Sequence, residues 1–400
     1  MDNLLSDSNL STAAAMPEWH SRVPYGLGER GEKKLTAKSR LRIAQVAPLY
    51  ESVPPRHYGG TERVVSWLTE ELVAMGHEVT LYASGDSRTS ARLRKCCKRS
   101  LRTAEDCVDP LTHHMVMIEQ VMRQRHEFDI VHFHIDYLHY GLSRRNNLCH
   151  VTTTHGRLDI PDLLPLYAEF AEMPVVSISR EQRRPLPWLN WAGNVYHGLP
   201  ENLLKFHAED GKYLAFIGRI SPEKRPDRAI EIAKRTGIPL KIAAKVDRAD
   251  REYFETRIKH LLNDPLVEYI GEIGDKEKSD FLGNAMACLV PIDWPEPFGI
   301  TMIEAMACGT PVIAYRNGSV PELVRNGVGG WIVENIDEAV SAVGRVQEIS
   351  RRECRREFET RFTVGRMARE YLRIYAEQIR MNQMRPQAVR REAKDTEMAL

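Results

Sequence analysis

The feature that most constrains this chain is an alternation, starting near Leu41, of short apolar runs with amphipathic segments of helical period. Residues 42–48 read as a strand, after which Val64, Val65, Leu68, Leu72 and Met75 recur at helical spacing and Gly76 supplies a C-terminal stop. Strands this short, separated by helices, specify β-α units and a parallel sheet, because parallel neighbours need a crossover between them. Further strands are predicted at 78–83, 129–135, 150–154, 174–178 and 194–196. The stretch 199–211 is polar and irregular, and beyond it the alternation restarts. Strands are predicted there at 213–217, 240–244, 266–270, 287–291 and 311–315, with helices at 227–236 and 251–262. Ser319 followed by Glu322 predicts a capping box, and a last helix is predicted over 364–380. The chain therefore reads as α/β, with two Rossmann-like, doubly wound domains over 41–199 and 210–362 and the last helix packing back on the first. Such domains bind ligands at the carboxyl ends of their strands, so the expected site is a cleft between the two.

Composition narrows the function classes. Four hundred residues suit two domains, and 56 Lys plus Arg against 55 Asp plus Glu leave no basic field for nucleic acid. No apolar run approaches the ~20 residues that span a bilayer. The first ten residues show neither a basic nor an apolar signal region, so a cytoplasmic location is expected. Seven cysteines without a C-x-x-C pair read as reduced thiols. Residues 1–40 are expected to be a flexible extension and 381–400 a flexible tail. Gly26, Gly28 and Gly31 fit G-x-G-x-x-G, but no strand precedes them, which removes the dinucleotide reading. Residues 88–102 hold seven basic residues and no acid; they read as a mobile solvated loop, with contact to an anionic acceptor or the inner membrane surface as the second reading.

Two segments carry the chemistry. Glu296-Pro297-Phe298-Gly299-Ile300-Thr301-Met302-Ile303-Glu304 places two glutamates around a glycine turn and a helix start. Gly299 allows close backbone approach, and the amides of Gly299, Ile300 and Thr301 suit a sugar or pyrophosphate oxygen. Gly218-Arg219-Ile220-Ser221-Pro222-Glu223-Lys224 follows the first strand of the second domain, where a guanidinium fork and a lysine suit a diphosphate. These segments resemble the E-x7-E and G-R-x-x-x-x-K elements of the retaining, bacterial-type family-four glycosyltransferases (glycosyl transferases group 1), which have the GT-B fold. The resemblance runs over roughly 42–380. It implies transfer of glucose or a related hexose from a nucleotide-diphosphate sugar, UDP-sugar foremost, to an acceptor hydroxyl with retention of configuration. Glu296 would hold donor-sugar hydroxyls and Glu304 the ribose, and the departing diphosphate itself would take the acceptor proton.

In the first domain Tyr58-Gly59-Gly60-Thr61 sits between strand and helix, where glycines and helix amides cradle phosphate or acceptor oxygens. His155, at a strand end before Gly156, resembles the family's histidine beside the donor sugar. His132, His134 and Asp136 alternate in a way that mimics metal ligands, yet no D-x-D triplet or Walker loop occurs, and the resembled fold needs no metal. No metal and no cofactor are expected. The expected catalytic set is Arg219, Lys224, Glu296 and His155, with Gly59, Gly60, Gly218, Phe298, Gly299, Ile300, Thr301 and Glu304 at the donor. The acceptor, whether a small molecule, a glycan or a lipid-linked group, is not legible. A nucleotide-sugar epimerase and a nucleotide-sugar-binding protein without turnover are the alternatives.

Overall fold

A computed structural model describes residues 40–56 and 59–384. The predicted extension before Arg40 with its glycine run, Tyr58, and the tail after Met384 lie outside the described residues. The first sheet comprises β1 (Arg42–Val46), β2 (Glu78–Ser84), β3 (Arg92–Cys97), β4 (Ile130–Phe133), β5 (His150–Thr153), β6 (Val175–Ser177) and β7 (Trp191–Asn194). The second comprises β8 (Tyr213–Arg219), β9 (Leu240–Lys245), β10 (Val267–Gly271), β11 (Ala285–Val290), β12 (Val312–Tyr315) and β13 (Gly330–Val333). Their orders are β3-β2-β1-β4-β5-β6-β7 and β10-β9-β8-β11-β12-β13, all pairings parallel.

Side chains alternate across each strand, so β1 serves two cores. Ile43 joins Val64, Leu68 and Leu72 of the Gly60–Ala74 helix, while Ala44 and Val46 join Met117 and Val121 of the Pro110–Arg123 helix. Helices on both faces explain why the central strands are apolar almost throughout. Each order reverses once, at β1/β4 and at β8/β11, and there the loops leaving the strands part to open a crevice. Gly59, His134, Arg219 and Glu296 all lie at or just beyond these four strands.

The chain crosses between the domains twice, and the crossings are stitched together. Leu199 N–H donates to the Phe362 carbonyl at 2.8 Å, and the Leu199 carbonyl accepts from Val364 N–H at 2.8 Å. The helix Val364–Met384 then packs against the Gly60–Ala74 helix, β4 and β5 of the first domain. Arg351 anchors the linker: its guanidinium, 8% exposed, donates to the carbonyls of His207 (2.8 Å), Ala285 (2.9 Å) and Gly283 (2.6 Å) and to Thr310 Oγ1 (2.9 Å).

Two expectations are corrected. Residues 88–102 are not a solvated loop: Arg92–Cys97 is the edge strand β3, with Leu93 half-buried. Its cations suit an edge that must not pair with another chain, and Arg92 lies 3.7 Å from Glu127; beyond the strand Arg99 lies 3.6 Å from Asp106 and Arg102 3.3 Å from Glu51. Ser319 and Glu322 make no capping box. The Ser319 hydroxyl donates to the Phe298 carbonyl at 2.6 Å, and the Glu322 carboxylate crosses to the other domain, accepting from the amides of Arg180 (2.8 Å) and Glu181 (2.7 Å) and from the Tyr196 hydroxyl (2.8 Å). The predicted 251–262 helix is helical but irregular, one α turn followed by a π segment, Phe254–Ile258, and a 3-10 segment, Lys259–Asn263.

Candidate active site

Between the domains lies a cavity of about 1000 Å³, bordered by Gly59, Gly60 and His155 on one side and by Gly218, Arg219, Lys224, Glu296 and the 297–301 turn on the other. Gly299 holds φ 83°, which an L side chain adopts only with strain, and it opens the Ile300–Ala307 helix toward the cavity. Glu296 is held from three sides. Its carboxylate pairs with Lys224 and accepts from Trp294 Nε1 at 3.0 Å, and its carbonyl accepts from Ser319 N–H at 2.9 Å. Gly318 (φ 55°) lies so close that a Cβ there would collide with the Glu296 backbone. Lys224 also sits 5.2 Å from the centre of the Trp294 ring.

Glu304, 3% exposed, accepts from Lys278 Nζ at 2.6 Å, and Lys278 borders the same cavity. Arg219 pairs with Glu223 and lies 3.1 Å from Asp250 and 3.7 Å from Asp247. Burial raises the Glu223 pKa, but its own amide and Arg219 outweigh that and hold it below the usual carboxylate value. Gly218 has open space where a Cβ would be, leaving the backbone accessible beside Arg219. Across the cleft, a Cβ on Gly60 would stand 3.8 Å from Ile300 Cδ1, so the two helix starts approach one another. Arg63, in the first turn after Gly60, pairs with Asp275 of the second domain.

His155 Nε2 lies 2.9 Å from His134 Nδ1, and its ring stacks on His197, which meets Phe298 edge-on at 4.7 Å between ring centres. Phe298 is 2% exposed, its ring also near Tyr196 and Phe362, so its side chain braces the domain junction. Burial pulls the His155 pKa down to about 3, so the ring is neutral. The ring nitrogens of His132 and His134 are all engaged in hydrogen bonds. Among the described residues no group of three or more His, Cys, Asp or Glu side chains is placed to hold a metal ion.

The structure thus brings Lys224, Glu296, Glu304, Arg219 and His155 to one cavity. Sequence reasoning missed Lys278, Arg63 and Trp294. Lys278 and Arg63 stand among many surface-type charges and carry no local signal; Trp294, two residues before Glu296, was open to notice.

Residues 58–198 match the family described as Glycosyltransferase Family 4, and residues 204–363 match Glycosyl transferases group 1. The chain carries a Glycosyltransferase Family 4 segment followed by a Glycosyl transferases group 1 segment. The D-inositol 3-phosphate glycosyltransferase of Mycobacterium marinum is 30% identical over 146 residues, 33% of this chain and 29% of that protein, so the match spans under a third of that relative. An uncharacterised glycosyltransferase of Methanocaldococcus jannaschii is 23% identical over 388 residues, covering 84% of this chain and 98% of that protein. The solved structure of Anabaena HepE in complex with UDP and glucose is similar with a TM-score of 0.66 at 16% identity, covering 84% of this chain and 100% of that one. That likeness concerns fold, and the chain has the GT-B fold, two Rossmann-like domains with sheets of seven and six strands. Among the described residues no helix is long and apolar enough to cross a membrane.

Proposed function

We propose that this chain transfers a hexose, glucose or a close relative, from a nucleotide-diphosphate donor, foremost UDP-glucose, to an acceptor hydroxyl, with retention at the anomeric carbon and without a divalent metal. The observation that carries the reading is the convergence on one cavity of Arg219, Lys224 and Lys278 with Glu296 and Glu304, opposite His155. The cations suit a diphosphate; the buried carboxylates suit hydroxyls of sugar and ribose. The ligands of the Anabaena structure, UDP and glucose, support the donor assignment. As the diphosphate departs, an oxocarbenium-like centre forms, the acceptor oxygen attacks on the face the diphosphate leaves, and a diphosphate oxygen takes the acceptor proton. The protein's work is positioning and stabilising leaving-group charge. The location fitting this chemistry is the cytoplasm, where nucleotide sugars are made.

The deciding experiment incubates the protein with a panel of nucleotide sugars and acceptors and detects transferred sugar by mass. An isomerised sugar released without acceptor would favour the epimerase reading, and donor binding with neither transfer nor hydrolysis would favour a binding protein. Transfer should persist in EDTA; loss that manganese or magnesium specifically restores would defeat the metal-free mechanism.

The two glutamates should differ in kind. Glu304→Ala removes the ribose contact and strips Lys278 of its buried partner, so UDP affinity measured by calorimetry should fall by about 1–3 kcal/mol. Glu296→Ala should leave UDP affinity nearly intact while transfer drops. Equal losses of UDP affinity would contradict the assignment.

A further inference from the structure

Alternation along β1, β4 and β5 turns Gln45, His132 and Thr153 to the sheet face that the helix Val364–Met384 covers, where Tyr371 and Tyr375 are fully buried. Gln45 Nε2 donates to the Tyr375 hydroxyl at 3.1 Å, and Gln45 Oε1 lies 2.8 Å from His134 Nε2. His134 Nδ1 in turn lies 2.9 Å from Nε2 of His155. On a second branch the Tyr375 hydroxyl lies 2.7 Å from His132 Nδ1, His132 Nε2 lies 2.7 Å from Thr153 Oγ1, and Thr153 lies 2.9 Å from the Tyr371 hydroxyl. So many polar groups are buried at a cost that only complete pairing offsets, and apart from His155 nothing in the transfer chemistry described above uses them.

We propose that Gln45 and Tyr375 are positioning residues that fix the tautomer of His155 through His134, so that His155 presents a bare Nδ1, a hydrogen-bond acceptor, to the cleft. The direction follows from counting protons. The Tyr375 hydroxyl has one; at 2.7 Å its distance to His132 Nδ1 is that of an O–H donor, whereas 3.1 Å to Gln45 is the length of a bond in which the amide N–H donates. The opposite arm of the amide is then its oxygen, which requires a proton on His134 Nε2. Burial holds His134 well below its ordinary pKa, so its ring is neutral and Nδ1 must accept. The proton in that contact belongs to His155 Nε2. His155 is neutral as well, which leaves its Nδ1 without a proton and, among the described residues, without a partner. An acceptor there orients a hydroxyl proton of the sugar; the reversed chain would offer an N–H donor. This functional consequence rests on the proposed reading in which His155 borders the donor sugar, but the tautomer itself does not.

The test is a long-range proton–nitrogen correlation spectrum of the full chain labelled with 15N-histidine, with His155 assigned by its loss in His155→Gln. The Nε2–H pattern is expected for His155 in the wild type without ligand, and an Nδ1–H pattern would overturn the proposal. Tyr375→Phe removes the group that orients the Gln45 amide, and Gln45→Met removes the amide; in each the single pattern should give way to a mixture. Tyr371→Phe, on the other branch, should leave it unchanged. An unaltered His155 spectrum in folded Tyr375→Phe and Gln45→Met would also overturn the relay. UDP-glucose turnover should fall by about tenfold in these two variants, the loss of one oriented hydrogen bond. A shifted tautomer with unchanged turnover would sink the placement of His155 at the donor sugar while leaving the relay standing.

Discussion

Lys224→Ala is expected to lower kcat by on the order of 10²–10³, about 2.7–4 kcal/mol, while raising KM far less. Negative charge grows on the diphosphate as the glycosidic bond breaks, and a cation held beside it gains interaction mainly in the transition state. Lys224 is held: it pairs with Glu296 and lies over the Trp294 ring. The pairing adds a second expectation. Because Lys224 and Glu296 touch, their losses should not add, and the double alanine variant should be less impaired than the product of the single effects. A donor with a better leaving group, such as a nitrophenyl glycoside, needs less help, so the deficit of Lys224→Ala in transfer to the same acceptor should shrink with it. An undiminished deficit despite demonstrated binding would assign Lys224 to domain closure or folding.

The second large effect is on stability. Arg351→Ala should destabilise the protein by about 3–5 kcal/mol, read as a fall in the urea midpoint. Four acceptors, three of them backbone carbonyls, lose their donor at once, and each of the three in buried bonds costs about 1–3 kcal/mol when left bare. Lysine cannot replace the fork, since a single ammonium does not reach acceptors spread around a planar guanidinium. Arg351→Lys should therefore recover less than half of the loss. A drop below about 1 kcal/mol in the alanine variant would mean that water takes over these bonds.

What could be read in the sequence was what short-range chemistry dictates. The apolar runs of β1, β4, β8 and β9 stand out because both faces of a central strand are covered, and Gly299 stands where the turn into a helix takes a positive φ. Edge elements were less legible. β3 reads R-L-R-K-C-C and looks like a solvated basic run, while β13 begins inside the pair Gly329-Gly330, which signals a turn. Ser319 and Glu322 carry a local pattern, but distant partners, the Phe298 carbonyl and the amides of Arg180 and Glu181, take both side chains. Arg351 lies in a segment crowded with arginines, and only the fold decides which of them is buried. In the site, the motif glutamates and cations were visible, whereas Lys278 and the Gln45–His134 contact depend on neighbours far apart in the chain.

The paired crossings at Leu199 and Val364 have a mechanical consequence. Two chain segments tied side by side by backbone hydrogen bonds behave as one leaf of a door, so the motion they permit most freely is a swing about that line. The helix Val364–Met384 lies past the tie and is bolted to the first domain, so it travels with β1 and β4 when the halves separate. What opens and shuts is then the mouth of the cavity, through Arg63–Asp275 and the Glu322 bonds. The hydrogen-bonded run from Tyr375 through Gln45 and His134 to His155 lies wholly on that travelling side, so such a swing leaves it unbroken.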